Sequence, residues 1–121
     1  MSESENFYNV DALEQGVQRQ LAEGLNTRIF AGDQAMVSIV RIASNMSGEI
    51  HSHPQEQWGF CFRGSGVRFQ GSEEIQVKTG DFWRTPGNVE HGFCAGPEGA
   101  VIFDVFAPPR EEYRTEGEGF S

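Results

Sequence analysis

Cations are scarce in this chain. Against 18 Asp and Glu stand 9 Lys and Arg, which leaves a net charge of −9 over 121 residues. Such a balance repels phosphate backbones and anionic lipid, and no basic stripe offsets it, so nucleic acid and membrane surfaces are excluded as partners. A small anionic substrate remains open, provided local arginines hold it; Arg63, Arg68, Arg84 and Arg110 lie nearest the motifs described below. Long apolar runs are missing too, and none approaches the roughly 18 residues of a membrane-spanning helix. The opening Met1-Ser2-Glu3-Ser4-Glu5-Asn6 has neither the basic nor the apolar part of a signal peptide. Cysteine is limited to Cys61 and Cys94, which form no CxxC. A reduced, cytoplasmic setting is the simpler reading, with one buried disulfide as the alternative. Histidine occurs only as His51, His53 and His91.

What is plentiful is Gly at 15 and Phe at 10. The length suits one domain with a core of its own, needing no disulfide staple. Glycines spread between alternating apolar residues predict many turns and an all-β fold. Strands are expected over 27–30, 36–43, 49–53, 58–62, 66–70, 74–78, 81–84, 91–94 and 100–106. Turn signals separate them, among them Gly64-Ser65-Gly66 and Gly96-Pro97-Glu98-Gly99. Over residues 10–24, Leu13, Val17 and Leu21 fit a helical stripe, while Val17, Arg19 and Leu21 fit a strand face; a short turn and then a strand is the preferred reading. Residues 1–9 are expected to be a flexible acidic leader, 10–113 a single domain, and 114–121 a loose polar tail.

Histidines at i and i+2 on a strand share a face, roughly 6–7 Å apart along it. His51 and His53 therefore suit two imidazoles reaching one metal ion, with His91 arriving from elsewhere. With no histidine used for anything else, a metal site is the first expectation.

The segment Gly48-Glu49-Ile50-His51-Ser52-His53-Pro54-Gln55-Glu56-Gln57, followed by Gly64, resembles the first motif of the cupin superfamily. Gly80 through His91, with Pro86 inside it, resembles the second. Two motifs in order make the resemblance specific, and it covers about residues 35–107. It departs in Gly48, which stands two residues nearer the His51-Ser52-His53 group than usual, in Asn88 at a usual glycine, and in Ala95 where Asn is common. The resemblance implies a double-stranded β-helix barrel of six to eight strands, with one divalent metal held by His51, His53, Gln57 and His91. Cupins commonly carry Glu where Gln57 stands. A neutral amide leaves more charge on the ion, making it a stronger Lewis acid but a less tightly held one. Glu56 is the second choice for that ligand, one residue off the favoured parity. Mixed nitrogen and oxygen donors fit Ni, Zn, Mn or Fe.

The string Asp104-x-Phe106-x-Pro108-Pro109-Arg110, with His51-Ser52-His53-Pro54, is similar to the small cupins of pectin degradation that linearise 4,5-unsaturated uronates, the KdgF type. That narrower resemblance implies catalytic or substrate-binding roles for Asp104, Phe106 and Arg110, and for Gln55. Asp104 would shuttle a proton and Arg110 would pair with a carboxylate. Phe93, Phe106 and Trp58 are expected to wall the cavity. On alternation alone, Asp104 fits a solvent-facing position almost as well. Cys61 is expected to be a small buried hydrophobe and Trp83 to pack on a neighbour or at a dimer seam. Competing functions are a metal-dependent dioxygenase or lyase acting on a small acid, and a non-catalytic small-molecule-binding cupin. A homodimer paired through edge strands is expected, since pairing hides exposed edges.

Overall fold

The structure, a computed structural model, describes residues 6–120. Within them lie eight strands: β1 (Val17–Ala22), β2 (Leu25–Ala31), β3 (Met36–Ile42), β4 (Glu56–Gln70), β5 (Glu73–Lys78), β6 (Phe82–Thr85), β7 (His91–Ala107) and β8 (Gly117–Glu118). A single 3-10 turn covers Glu111–Arg114. The strands form one sheet in the order β5-β4-β7-β3-β2-β1-β8, with β6 pairing β4. All pairings are antiparallel except β1 with β8. This is the all-β cupin jelly roll that the sequence implied.

Alternation along each strand decides what is inside. Leu25, Thr27 and Ile29 of β2 point inward, as do Met36, Ser38, Val40 and Ile42 of β3. They meet Cys61 of β4 and Ile102 and Phe106 of β7 in the main core. Thr27 and Ser38 satisfy each other there, hydroxyl to hydroxyl at 2.6 Å, as buried polar groups must. A second cluster of Leu13, Ile39 and Val101 lies on the other face. Residues 10–13 cover it, so the middle of the sheet is buried on both sides. The turn-then-strand reading of residues 10–24 is thus what forms, with β1 as the strand. Of the expected leader, residues 1–5 lie outside the described residues; Tyr8 packs on Phe30 with ring centroids 4.4 Å apart.

Three expectations about elements are corrected. Strands expected over 58–62 and 66–70 are one strand, β4, and those over 91–94 and 100–106 are one strand, β7. Gly64-Ser65-Gly66 and Gly96–Gly99 lie within these long strands. Register breaks between Cys61 and Arg63 and between Gly64 and Gly66, where β4 opposes β7, absorb the extra residues. Gly64 at φ +86° and Gly99 at φ +77° take the bend, which costs glycine nothing. The expected strand at 49–53 is reduced to one bridge, in which His51 and His91 exchange main-chain hydrogen bonds of 3.0 and 2.9 Å. Finally, the tail expected to be loose over 114–121 is tied down within its described part, up to Phe120: β8 pairs β1, and Arg19 donates to the carbonyls of Glu118 and Gly119.

Candidate metal centre

The bridge between His51 and His91 brings the two cupin-like motifs together. Ring centroids are 4.5 Å apart for His51 and His91, 4.9 Å for His53 and His91, and 5.8 Å for His51 and His53. One ring nitrogen from each of the three lies within 4.8 Å of the others.

Each imidazole is oriented by its own neighbourhood. Nδ1 faces a main-chain carbonyl in all three: Glu49 for His51 at 3.1 Å, Gln55 for His53 at 3.1 Å, and Val89 for His91 at 2.8 Å. A carbonyl only accepts, so each Nδ1 carries the proton and each Nε2 presents a lone pair. Metal-binding imidazoles are held in the same way. Burial, the largest influence on all three, keeps them neutral: His51 is lowered to about 4, His91 to about 3, and His53 lies below its ordinary value. At neutral pH no proton has to leave before a cation binds.

Two contacts test whether this donor set fits a divalent ion. Nε2 of His91 is buried with no hydrogen-bond partner, a costly state for an acceptor. Nε2 of His53 lies 2.9 Å from Oε1 of Gln57. The Gln57 amide is fixed the other way round, because its Nε2 donates to Oδ1 of Asp104 at 2.9 Å. Two acceptors therefore face each other. That spacing suits neighbouring ligands that each reach about 2.1 Å to one ion. The three imidazoles, with Gln57 beside them, fit a site for a divalent metal.

The remaining expected residues fall around this cluster. Glu56 points away and pairs with Arg84 at the surface. Asp104 faces the cavity, half-buried, and burial pushes its carboxyl up to about 6 against the pull of Arg68, Gln57 and Arg110. Phe106 is buried with its ring edge-on to His53, centroids 5.4 Å apart. Arg110 is 2% exposed, and its guanidinium lies 4.0 Å from the Tyr113 ring centroid and 5.3 Å from that of Phe106. Gln55 touches the centre through its main chain, which orients His53, while its buried Oε1 has no partner. A cavity with an empty volume of about 530 Å³, open space at its mouth included, joins His51, Gln57, Asp104 and Arg110.

Of the expected cavity walls, Phe93 and Phe106 line it, but Trp58 does not. Trp58 sits one step off the inward parity of Gln57 and Gly59 and is 46% exposed. Trp83 stacks on Phe93 at 6.2 Å and packs over Gly59, where a Cβ would collide with the indole nitrogen. Cys61 is fully buried and Cys94 partly so, both as free thiols, which removes the disulfide alternative.

Two cavity-lining residues were not singled out by the sequence: Arg68 stood out only as one of four arginines near the motifs, and Phe120 not at all. Arg68 is buried and lines the cavity, held by Thr85 Oγ1 at 2.8 Å. Counting alternately from Gln57 turns residue 68 outward; the breaks in β4 reverse the parity and turn it in. Phe120 lines the cavity too, 4.2 Å from His51 between ring centroids. Its only signal was an aromatic in a polar tail.

Comparison with known proteins agrees with this geometry. The cupin domain model matches residues 38–106. The pectin degradation protein KdgF of Dickeya dadantii is 31% identical over 97 residues, covering 78% of this chain and 87% of that protein. An RmlC-like cupin from Shewanella frigidimarina superposes with a TM-score of 0.78 at 23% identity, over 93% of this chain and 99% of that one. The structure of KdgF from Halomonas sp. gives 0.78 at 20% identity, over 90% and 98%. An oxalate decarboxylase from Bacillus subtilis gives 0.75 at 21% identity, over 85% of this chain but 30% of that one. A jelly roll whose two motifs meet at three imidazoles, matched over most of its length, makes this chain a member of the cupin family, similar to KdgF.

Proposed function

We propose that this chain is a metal-dependent enzyme that opens the ring of a 4,5-unsaturated uronate to its linear keto form. The observation that carries the reading is Asp104. Its carboxyl, pushed up to about 6, is joined through the single side chain of Gln57 to the imidazole cluster. Arg68 and Arg110 line the same cavity. The likeness to the KdgF of Dickeya dadantii, a pectin degradation protein, supports the substrate class.

Such a substrate is a cyclic enol ether with a free anomeric hydroxyl. Asp104, mostly ionised at neutral pH, takes the hydroxyl proton as the C1–O5 bond breaks. C1 becomes an aldehyde and the ring oxygen becomes an enolate oxygen at C5. The proton returned from Asp104 to C4 turns the enolate into a ketone and restores the carboxylate. A general base of this kind works best when its pKa lies near the working pH. Arg110 receives the substrate carboxylate through its planar fork of donors. Phe93 and Phe106 present apolar rings to the sugar. His51, His53 and His91, with Gln57, would hold the divalent ion, which when bound supplies Lewis acidity toward a substrate oxygen.

The proposal includes a single catalytic domain over 10–113, a cytoplasmic setting for the two free thiols, and a homodimer that light scattering would detect. Its direct test uses the protein with a lyase digest of pectin. Metal-loaded protein should remove the unsaturated-ring absorbance faster than the spontaneous rate, and chelator-treated protein should not. No acceleration by the metal-loaded form would end the reading.

A further inference from the structure

The C-terminal segment through Phe120 is fastened against the cavity, which Tyr113 and Phe120 line. Arg19 on β1 is 4% exposed and donates to three main-chain carbonyls of the C-terminal segment: Glu112 at 3.0 Å, Glu118 at 3.0 Å and Gly119 at 2.8 Å. Its guanidinium also lies 4.9 Å from the Tyr113 ring centroid. β8 continues the attachment by pairing Gly117 with Arg19 and Glu118 with Gln20. Gly119, at φ +80°, then turns Phe120 toward the imidazoles. The Phe120 ring packs on His51 at 4.2 Å and over Gly48, where a Cβ would come within 2.5 Å of it. The Phe120 carbonyl accepts a hydrogen bond from Nη2 of Arg110.

We propose that Phe120 is a specificity-determining residue, whose ring closes the cavity beside His51 and limits it to acids of one sugar ring. The ring fills the space next to the His51 imidazole, so a second sugar ring on that side would have to displace it. The carbonyl occupies a donor of Arg110, the cation that a substrate carboxylate needs. The same Nη2 also faces Oε2 of Glu112 at 3.5 Å. A carboxylate from either acid can take over the Phe120 bond as an ionised acceptor, so size rather than charge separates one ring from two. A buried arginine spent on three carbonyls of the chain's end also marks a built attachment, since a buried cation is costly unless it is bonded.

Closure beside the metal ligands is independent of the substrate; the one-ring limit rests on the uronate reading. Zinc-loaded wild type, F120A and G48A would therefore be compared in two ways, after melting curves confirm that each is folded. G48A displaces the same ring without removing it. A chelator should strip zinc about tenfold faster from both variants than from wild type, and calorimetry should show digalacturonate binding both variants about tenfold more tightly than wild type. Galacturonate should bind all three. Faster stripping with neither acid bound by any form would support the closure and overturn the one-ring limit, while the lyase-digest assay decides the uronate reading separately. Equal stripping rates, or unchanged discrimination between the two acids where they bind, would overturn the role of Phe120.

Discussion

At the residue scale the centre depends on where protons and lone pairs point. Three carbonyls each claim an Nδ1 proton, and Asp104 claims the Gln57 amide. Together they turn three nitrogens and one oxygen toward a common volume. Replacing His51 or His91 with Ala should cost the bound metal, read by elemental analysis after dialysis, and metal retained in both would refute the ligand set. D104N is a finer probe. Asn still offers Oδ1 to the Gln57 amide, so metal content should hold. The proton exchange is lost, and turnover should fall by roughly 10²–10⁴. D104L also removes the acceptor, so metal affinity should fall with turnover. Full activity in D104N would remove the shuttle. His51, His53 and His91 were legible in the sequence because two motifs flagged them. Asp104 was legible only as an acid in an apolar strand, and its inward direction needed the register of β7 against β3 and β4.

At the scale of elements, the site is set by how β4 and β7 bend together. Both are long because each pairs with the other on either side of a register break. The glycines at the break read as turns, since composition does not separate a turn from a bulge inside a strand. Strand periodicity was legible wherever one face met the core, as in β2 and β3. It failed past Cys61, where an extra residue reverses the parity and brings Arg68 inside. Gly64 follows this break and takes the bend between it and the next one. Its φ of +86° disfavours any side chain, and an added Cβ would overlap the Gly99 carbonyl. G64A should therefore cost about 2–4 kcal/mol, at the severe end for single substitutions. Chemical denaturation would measure it, and a loss under roughly 0.5 kcal/mol, the range of surface changes, would show that β4 keeps its path without the glycine. The C-terminal strap was illegible for a related reason. Its residues are polar, and its order comes from Arg19, about a hundred residues away in sequence.

For the whole molecule, a chain of net charge −9 encloses a cavity that carries Arg68 and Arg110. Burial lets local groups oppose the overall sign, because buried charges are screened less than surface ones. The same burial makes metal-free stability depend on pH. His51 and His91 titrate near 6.5 when unfolded but near 4 and 3 when folded, and His53 is shifted the same way. Below pH 6.5 the unfolded chain binds more protons than the folded one at these sites. Their contribution is therefore complete above that pH and is lost progressively as pH falls toward the folded values. Asp104 acts oppositely. Raised from 3.8 to about 6, it binds more protons in the folded state across that window and adds stability as pH falls through it. Three imidazoles outweigh one carboxyl, so the metal-free melting temperature should fall between pH 7 and 4.5, with each kcal/mol worth about 3–6 °C at this chain length. In D104N the opposing contribution is gone and the fall should be steeper. A melting profile that is flat with pH, or shallower in D104N than in wild type, would mean that the imidazoles and the carboxyl are not buried together as this fold places them.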